Sequence, residues 1–197
     1  MSPLLVVLLA PVAYLLGTFP SAVMVARTKG IDINTVGSGN PGASNVARVM
    51  GKPYGVAVFV LDGLKGAIPA AAGLLVDSRP AAYLWLAAAI VGHMYPITRG
   101  FQGGKGVSTG AGGMIVIWPL ISLVLLPVWA IVRFTTKKAS MASLAITIGL
   151  PVGMIISGAP LWEFLAAAGL AALVVLRHRE NIARLIGGRE LTADKTA

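Results

Sequence analysis

The chain of 197 residues contains no cysteine, only two histidines and only seven acidic residues. The absence of cysteine excludes a disulfide framework, an iron–sulfur cluster and a cysteine-ligated zinc site. Two histidines and so few carboxylates leave little material for any other protein-ligated metal. We therefore predict no metal and no cofactor.

Charged residues are also scarce: they make up 12% of the chain, whereas hydrophobic residues make up 56%. The mean hydropathy of +0.83 lies far outside the range of soluble globular proteins. Apolar runs of about 20 residues, the length needed to cross a hydrocarbon core of about 30 Å, recur along the chain. The sequence predicts an all-α polytopic membrane protein in which residues 1–197 form a single membrane-embedded domain.

The apolar runs predict seven membrane segments. These are Leu4–Ala26, Tyr54–Val76, Ala81–Ile97, two short segments within Val107–Val132, Ala139–Ser157 and Leu161–Leu176. The run Val107–Val132 could be one long tilted helix, but a turn at Trp118-Pro119 would bring most basic loops to one side of the membrane. Each limb, about 13 residues long, would then rise only about 20 Å. We choose the turn.

The net charge is +9, from 16 Lys and Arg against 7 Asp and Glu. In a membrane protein such an excess reports topology and attraction to anionic headgroups before it reports nucleic acid. By the positive-inside rule, the N-terminus lies outside and the C-terminus lies in the cytoplasm. The tail continues as a surface helix over Asn181–Ile186. We expect no nucleic-acid partner.

Two glycine-rich patches on the predicted cytoplasmic side are typical of phosphate-binding loops. The first is Gly37–Asn45, followed by Arg48. Its glycines let backbone N–H groups surround an anion, while Arg48 supplies a planar fork for phosphate or carboxylate. The second, Gly103–Thr109, opens directly into a membrane helix whose dipole favours an anion. It lacks the order of a P-loop, so we do not expect ATP hydrolysis.

A third patch, Arg177–Asn181, places His178 and Asn181 three residues apart and therefore on one helix face. Each patch also has a purely structural interpretation. Single basic residues at span ends are usually topology anchors. His93 could be a packing residue, and Asp62 and Lys65 could neutralise each other inside a span. The convergence of several donor-rich patches at one face favours function.

Four sequence blocks together are specific. They are Gly-Ser-Gly-Asn-Pro-Gly-Ala-Ser-Asn-Val-x-Arg at 37–48, Asp-Gly-Leu-Lys-Gly at 62–66, Gly-His-Met-Tyr-Pro at 92–96 with Phe-Gln-Gly-Gly-Lys-Gly at 101–106, and Arg-His-Arg-Glu-Asn-Ile-x-Arg-Leu at 177–185. These blocks resemble those of the bacterial membrane acyl-phosphate:glycerol-3-phosphate acyltransferases. The resemblance covers nearly the whole chain, in the order of the family.

The resemblance implies a reaction of phospholipid biosynthesis at the cytoplasmic face of a bacterial inner membrane. The acyl group of a fatty acyl phosphate would pass to the 1-hydroxyl of sn-glycerol 3-phosphate, giving lysophosphatidic acid and phosphate. An acyl phosphate is already activated, so no covalent enzyme intermediate is expected. The expected partners are these two substrates and membrane lipid, with the protein functional as a monomer.

Site residues follow from the charges and from the resemblance. Lys105 and Arg48 are expected to position the anions and stabilise the developing oxyanion. The resemblance implies that His178 orients or deprotonates the hydroxyl and that Asn181 steadies the reacting carbonyl. The proton acceptor stays open between His178 and the phosphate of the donor. Implied substrate-binding residues are Ser38, Asn40, Gly42, Ser44, Asn45, Gly103, Gly104 and, more weakly, Ser143.

Two other functional classes fit parts of the sequence. A transporter of anionic solutes would also use cationic patches and broken helices, but its charges should lie near the midplane with access from both sides. An intramembrane serine protease could use Ser108 or Ser140, but the sequence pairs neither with a base. Both classes fit the sequence less well than an acyltransferase.

Overall fold

A computed structural model describes residues 1–76 and 78–192, and these contain helices and turns but no β-strand. The chain divides into two compact units, Met1–Ile117 and the residues from Trp118 onward. The helices are α1 Pro3–Gly17, α2 Ser21–Arg27, α3 Ala43–Met50, α4 Lys52–Leu75, α5 Arg79–Met94, α6 Val107–Ile117, α7 Pro119–Thr136, α8 Ala139–Ile156, α9 Leu161–Arg177 and α10 Arg179–Ile186, with a 3-10 turn at Ile97–Arg99.

Within the described residues, five segments are long and apolar enough to cross a membrane: Pro3–Arg27, Lys52–Leu75, Arg79–Arg99, Pro119–Thr136 and Ala139–Ile156. A sixth arises if α9 and α10, bent by 60° from each other, form one broken span, and α6 is a shorter apolar helix. Large apolar side chains cover the outer surface, with Leu75 exposed by 86% and Ile156 by 81%. Such a surface suits lipid, and the predicted all-α polytopic membrane fold is confirmed.

The first predicted span is interrupted, because α1 ends at Gly17 and α2 begins only at Ser21. At the break, the Thr18 hydroxyl donates to the carbonyl of Leu15 at 2.7 Å, which satisfies one of the carbonyls released at the helix end. Pro20 precedes α2 and cannot donate a backbone hydrogen bond. The apolar run is therefore two helices, not one.

Two further boundaries differ from the sequence prediction. Ala43–Met50 forms helix α3 inside the polar stretch, because Val46 packs into a cluster with Ala26 and Val58. The predicted break at Trp118 is confirmed, but α7 has 18 residues, so a second limb of about 13 residues was wrong. The helix passes Val132 and ends at Thr136, because Lys137 then takes a left-handed conformation with a φ of +58°.

Contacts between named residues fix the helix directions in the first unit. Gly73 of α4 packs directly on Ala82 of α5, whereas Asp62 of α4 approaches His93 of α5. The residue numbers run in opposite directions, so α4 and α5 are antiparallel. The close approach needs glycine, because a Cβ at Gly73 would overlap the Ala82 backbone.

Helix α6 is also antiparallel to α5, since Gly106 packs on Met94 and Gly113 packs on Leu86. Helices α4 and α6 therefore begin at the same end of the first unit. Helix α3 and the loop before it lead into α4, and residues 103–106 lead into α6, so both segments lie at that end. The basic residues Arg27, Lys29, Arg48, Lys52, Arg99 and Lys105 belong to these loops and helix ends, whereas Arg79 begins α5 at the opposite end.

In the second unit, α7 and α8 are antiparallel, because Gly149 packs on Leu125 and Gly153 packs on Ile121. The end of α7 and the start of α8 therefore share one end of this unit. At the start of α9, the indole Nε1 of Trp118 donates to the buried carboxylate of Glu163 at 3.1 Å. This bond joins the beginnings of α7 and α9.

Candidate active site

The loop before α3 is organised by one buried amide. Asn45, 2% exposed, accepts at Oδ1 from the backbone N–H of Ser38 at 2.8 Å and from Arg48 at 3.1 Å. Its Nδ2 donates to the carbonyls of Val36 at 3.0 Å and Ile33 at 3.3 Å. These four bonds use the full capacity of the amide. Asn45 therefore shapes the loop and holds Arg48, a role that the sequence did not predict.

The same loop depends on Gly37, whose φ of +62° belongs to the left-handed region. A Cβ at this position would also overlap the Oδ1 of Asn45. Further along, the hydroxyl of Ser38 accepts from the backbone N–H of Asn40 at 3.4 Å. Gly42 caps α3, and Ser44 is exposed in its first turn. The loop thus leads into a helix N-terminus, where backbone N–H groups lack intrahelical partners.

The second glycine loop, residues 103–106, packs closely against His93. The backbone N–H of Gly104 donates to the His93 carbonyl at 3.1 Å. A Cβ at Gly103 would overlap that carbonyl, and a Cβ at Gly104 would overlap the imidazole. Lys105, half-buried, lies between Gly104 and Gly106 in sequence. The close packing of this loop explains why two successive glycines precede the lysine.

His93 also approaches a buried charge pair in α4. Lys65 Nζ lies 2.6 Å from Asp62 Oδ1, and His93 Nδ1 lies 3.7 Å from the same oxygen. All three side chains are buried. Asp62 and Lys65 thus lie close enough to form the ion pair that their spacing in the sequence allows. The sequence did not reveal that the pair lies next to the histidine that supports the glycine loop.

In the second unit, His178 lies at the bend between α9 and α10 and is buried. Its Nδ1 lies 2.8 Å from the carbonyl of Val174. A carbonyl can only accept, so this contact places the hydrogen on Nδ1 and leaves Nε2 of a neutral ring as the acceptor nitrogen. Asn181 follows one turn later and is also buried. The predicted helix over Asn181–Ile186 is confirmed as part of α10, whereas its place along the membrane surface stays a prediction.

The tail returns to this helix through Glu190, which the sequence analysis missed. Its Oε1 accepts from Ser140 at 2.7 Å and from Asn181 at 2.6 Å, and its Oε2 accepts from Arg184 at 2.9 Å. Burial alone raises the pKa of Glu190, but these hydrogen bonds and the charge of Arg184 outweigh it and hold the pKa below its usual value. An acidic residue shortly after the helix-ending Gly187-Gly188 was the available signal.

The structure places the candidate residues in two groups, one in each unit. In the first unit, the loop of Ser38, Asn40, Gly42, Ser44 and Asn45, with Arg48, lies at the same end as Gly103, Gly104 and Lys105. In the second unit, Ser143 is buried one turn along α8 from Ser140, whose hydroxyl reaches the carboxylate that also binds Asn181. His178 lies three residues before Asn181.

Comparison with known proteins identifies the family. The profile of the family described as "Glycerol-3-phosphate acyltransferase" matches residues 7–188. The chain belongs to this family. The glycerol-3-phosphate acyltransferase of Aquifex aeolicus (strain VF5) is 42% identical over 181 residues, covering 90% of this chain and 94% of that protein. The one from Rubrobacter xylanophilus is 37% identical over 188 residues, covering 95% and 94%.

Solved structures agree with the family assignment. The crystal structure of PlsY (YgiH), an integral membrane glycerol 3-phosphate acyltransferase, in its glycerol 3-phosphate form superposes with a TM-score of 0.91 at 40% identity, covering 95% of this chain and 94% of that chain. Its lysophosphatidic acid form gives a TM-score of 0.88 at 39% identity, with the same coverage. The resemblance found in the sequence is confirmed, and the chain is an integral membrane acyltransferase of phospholipid synthesis.

Proposed function

We propose that the protein transfers the acyl group of a fatty acyl phosphate to the 1-hydroxyl of sn-glycerol 3-phosphate, producing lysophosphatidic acid and inorganic phosphate. Membership of the family and the names of its relatives support glycerol 3-phosphate as the acceptor. The observation that carries the proposal is the pair of glycine loops with Arg48 and Lys105 at one end of the first unit. Two anionic substrates need such preset donors and cations.

The donor is proposed from chemistry. An acyl phosphate is a mixed anhydride, so the glycerol hydroxyl can attack the acyl carbon directly while the bond to the phosphate oxygen breaks. No covalent enzyme intermediate is then required. The chain has no cysteine, and the Nδ1 contact of His178 is to a main-chain carbonyl where a catalytic triad would place a carboxylate. Both facts support direct transfer.

In the first unit, we assign the anions to the glycine loops. Lys105 and Arg48 supply positive charge, and Arg48 is held ready by Asn45. Gly103 and Gly104 form the tightly packed loop that carries Lys105 to the phosphate, with the Gly104 N–H bonded to the His93 carbonyl. Ser38, Asn40 and Ser44 add polar donors near the start of α3, which Gly42 caps. Because the bond to Asn45 and the packed glycines hold Arg48 and the two loops before substrate arrives, little reorganisation is needed during the reaction.

In the second unit, His178 and Asn181 act on the hydroxyl and the reacting carbonyl, and Ser143 contributes to substrate binding. His178 Nε2 accepts the hydroxyl proton, or the phosphate of the donor does so. The Nδ1 bond to Val174 supports the first route, because it fixes the tautomer in which Nε2 is basic. The two routes predict different residual activity for His178→Gln. The variant should keep some turnover if the donor phosphate is the base, and should lose it if His178 is the base.

The basic residues gather at one end of the first unit, with Arg79 at the other. We propose from this distribution that the N-terminus is outside, the C-terminus is cytoplasmic and the reaction takes place at the cytoplasmic face of a bacterial inner membrane. We also propose that the chain is one functional domain, active as a monomer.

The test is a donor competition with purified protein in lipid. Glycerol 3-phosphate is supplied with palmitoyl phosphate or with palmitoyl-CoA, and both phosphate and lysophosphatidic acid are measured. We expect turnover with palmitoyl phosphate alone. Turnover that requires palmitoyl-CoA, or none with either donor from folded protein, contradicts the proposal.

Lys105→Ala sharpens this test within the same assay. Loss of a fixed cation at the reacting centre should lower kcat by about 10²–10³. Lys52→Ala is the matched control, because Lys52 is exposed at the start of α4 and has no assigned role. Equal losses in the two variants would show that Lys105 acts only as a membrane anchor.

A further inference from the structure

We propose that Glu190 is a positioning residue for acyl transfer: its carboxylate holds the side-chain amide of Asn181, and through it helix α10, in the geometry used for the reaction. The inference rests on the proposed function and adds a residue that lies just beyond the matched range 7–188 of the family. Glu190 acts through Asn181 and has no role of its own on the substrate.

The carboxylate joins three donors from two separate helices. Ser140 begins α8, whereas Asn181 and Arg184 lie on α10. Their bonds to Glu190 measure 2.7, 2.6 and 2.9 Å. Bonds to an ionised acceptor are shorter and about twice as strong as neutral ones. Glu190 therefore ties α10 to the start of α8, and all of these side chains are buried except the half-buried Arg184.

Helix α10 needs such a tie. It has only eight residues, and it leaves α9 at a bend of 60° with His178 at the junction. A helix this short is not stable by itself in water. The tail reverses after it at Gly188, whose φ is +68°, and brings Glu190 back against Asn181. The reversal places the carboxylate where it fixes both the helix and the amide.

Fixing the amide has a chemical consequence. An asparagine side chain has two N–H donors and one acceptor oxygen in a plane. A 2.6 Å bond from Nδ2 to Glu190 sets the rotation of that plane. The directions of Oδ1 and of the second N–H are then determined before substrate binds. Preset direction is what a group that steadies a reacting carbonyl requires.

The same carboxylate pairs with Arg184, at 2.9 Å. Arg184 is half-buried, and its positive charge compensates the negative charge that Glu190 brings into this site. The pair holds the carboxylate in place, so Glu190 still acts on the reaction only through Asn181.

The test is a double-mutant cycle in the palmitoyl phosphate assay with Glu190→Ala, Asn181→Ala and the double variant. Residues that orient metal ligands from behind cost about 10- to 100-fold in activity when removed, and we expect a loss of the same order in kcat for Glu190→Ala. Because Glu190 acts through Asn181, the double variant should match Asn181→Ala within about twofold. Multiplicative losses would show a merely structural role and overturn the inference.

Two further variants keep the test decisive. Glu190→Gln keeps the side-chain volume and one acceptor oxygen but loses the charge. If Glu190→Ala does not fold, Glu190→Gln replaces it in the same double-mutant cycle, and the expected loss in kcat is smaller. Arg189→Gln, at the exposed neighbouring position, should leave kcat unchanged. If the wild-type protein is active with palmitoyl phosphate but the losses from Glu190→Ala and Asn181→Ala multiply in the double variant, only this inference is overturned. A wild-type protein inactive with palmitoyl phosphate overturns the proposed function, and the inference with it.

Discussion

Two buried side chains organise the two groups of candidate residues, and they do so with different chemistry. In the first unit the neutral amide of Asn45 binds two carbonyls, a backbone N–H and Arg48. In the second unit the carboxylate of Glu190 binds only donors. An amide can satisfy donors and acceptors together, whereas a buried carboxylate needs donors alone and a compensating cation.

The difference predicts different sensitivities. A loop held by an amide should be indifferent to pH, because asparagine does not ionise. A tail held by a carboxylate should be stable only while the carboxylate keeps its charge. The comparison can therefore be tested by substitution in each unit and by pH in the second.

The largest expected effect is on the first unit. Asn45→Ala removes four hydrogen bonds and leaves two carbonyls and one N–H buried without this partner. Each unsatisfied group costs about 1–3 kcal/mol, so we expect a loss of about 3 kcal/mol or more in the free energy of unfolding. Thermal melting in detergent measures it. Asn34→Ala is the control, since Asn34 is exposed and bonds only Asp32 locally. Equal melting temperatures for the two variants would contradict the organising role of Asn45.

A smaller effect is expected at Arg48. Arg48→Lys keeps the charge but loses the planar fork and the geometry of the bond to Asn45. Loss of one charge-assisted bond corresponds to about a tenfold increase in KM for one phosphate-bearing substrate, with kcat less affected. Steady-state kinetics with each substrate varied in turn provide the measurement. Unchanged constants would reduce Arg48 to a topology anchor.

The smallest effect concerns pH and separates the two units. The folded state lowers the pKa of Glu190, so its stabilisation is complete above the pKa of a solvated glutamate, about 4.3. It is lost as the pH falls through the lower pKa of the folded protein. The melting temperature of Glu190→Gln should lie below that of the wild type at pH 7, and the gap should narrow below about pH 4.

Asn45→Ala provides the contrast for the pH experiment. Its deficit relative to the wild type should stay constant across the same range, because the lost bonds involve no titrating group at Asn45. If the difference in melting temperature from the wild type narrows for both variants, or for neither, the expected contrast between the amide of Asn45 and the carboxylate of Glu190 is wrong.

Much of this molecule could be predicted from its sequence. The apolar helices follow from hydropathy, and the break at Trp118-Pro119 follows from the distribution of the basic loops. The glycine loops could be recognised because glycine recurs within short polar segments of the sequence. The structure gives the reason for Gly37, Gly103 and Gly104, which lie where only a residue without a Cβ fits. These features depend on local pattern, which a single sequence contains.

The contacts that organise the loops could not be predicted in this way. The sequence presents Asn45 as one donor among several, and only the fold shows that its amide is consumed by Ile33, Val36, Ser38 and Arg48. Glu190 is 50 positions from Ser140. Such a contact depends on how distant helices pack, and periodicity carries no information about it. The approach of His93 to Asp62 was hidden for the same reason.

Isotope exchange distinguishes direct acyl transfer from a route through an acyl-enzyme. The purified protein is incubated in lipid with palmitoyl phosphate and labelled inorganic phosphate, with and without glycerol 3-phosphate. A covalent acyl-enzyme would form without the acceptor and exchange label into palmitoyl phosphate. We predict no exchange and no phosphate release without glycerol 3-phosphate, and equal amounts of phosphate and lysophosphatidic acid with it. Exchange in the absence of glycerol 3-phosphate would contradict the account.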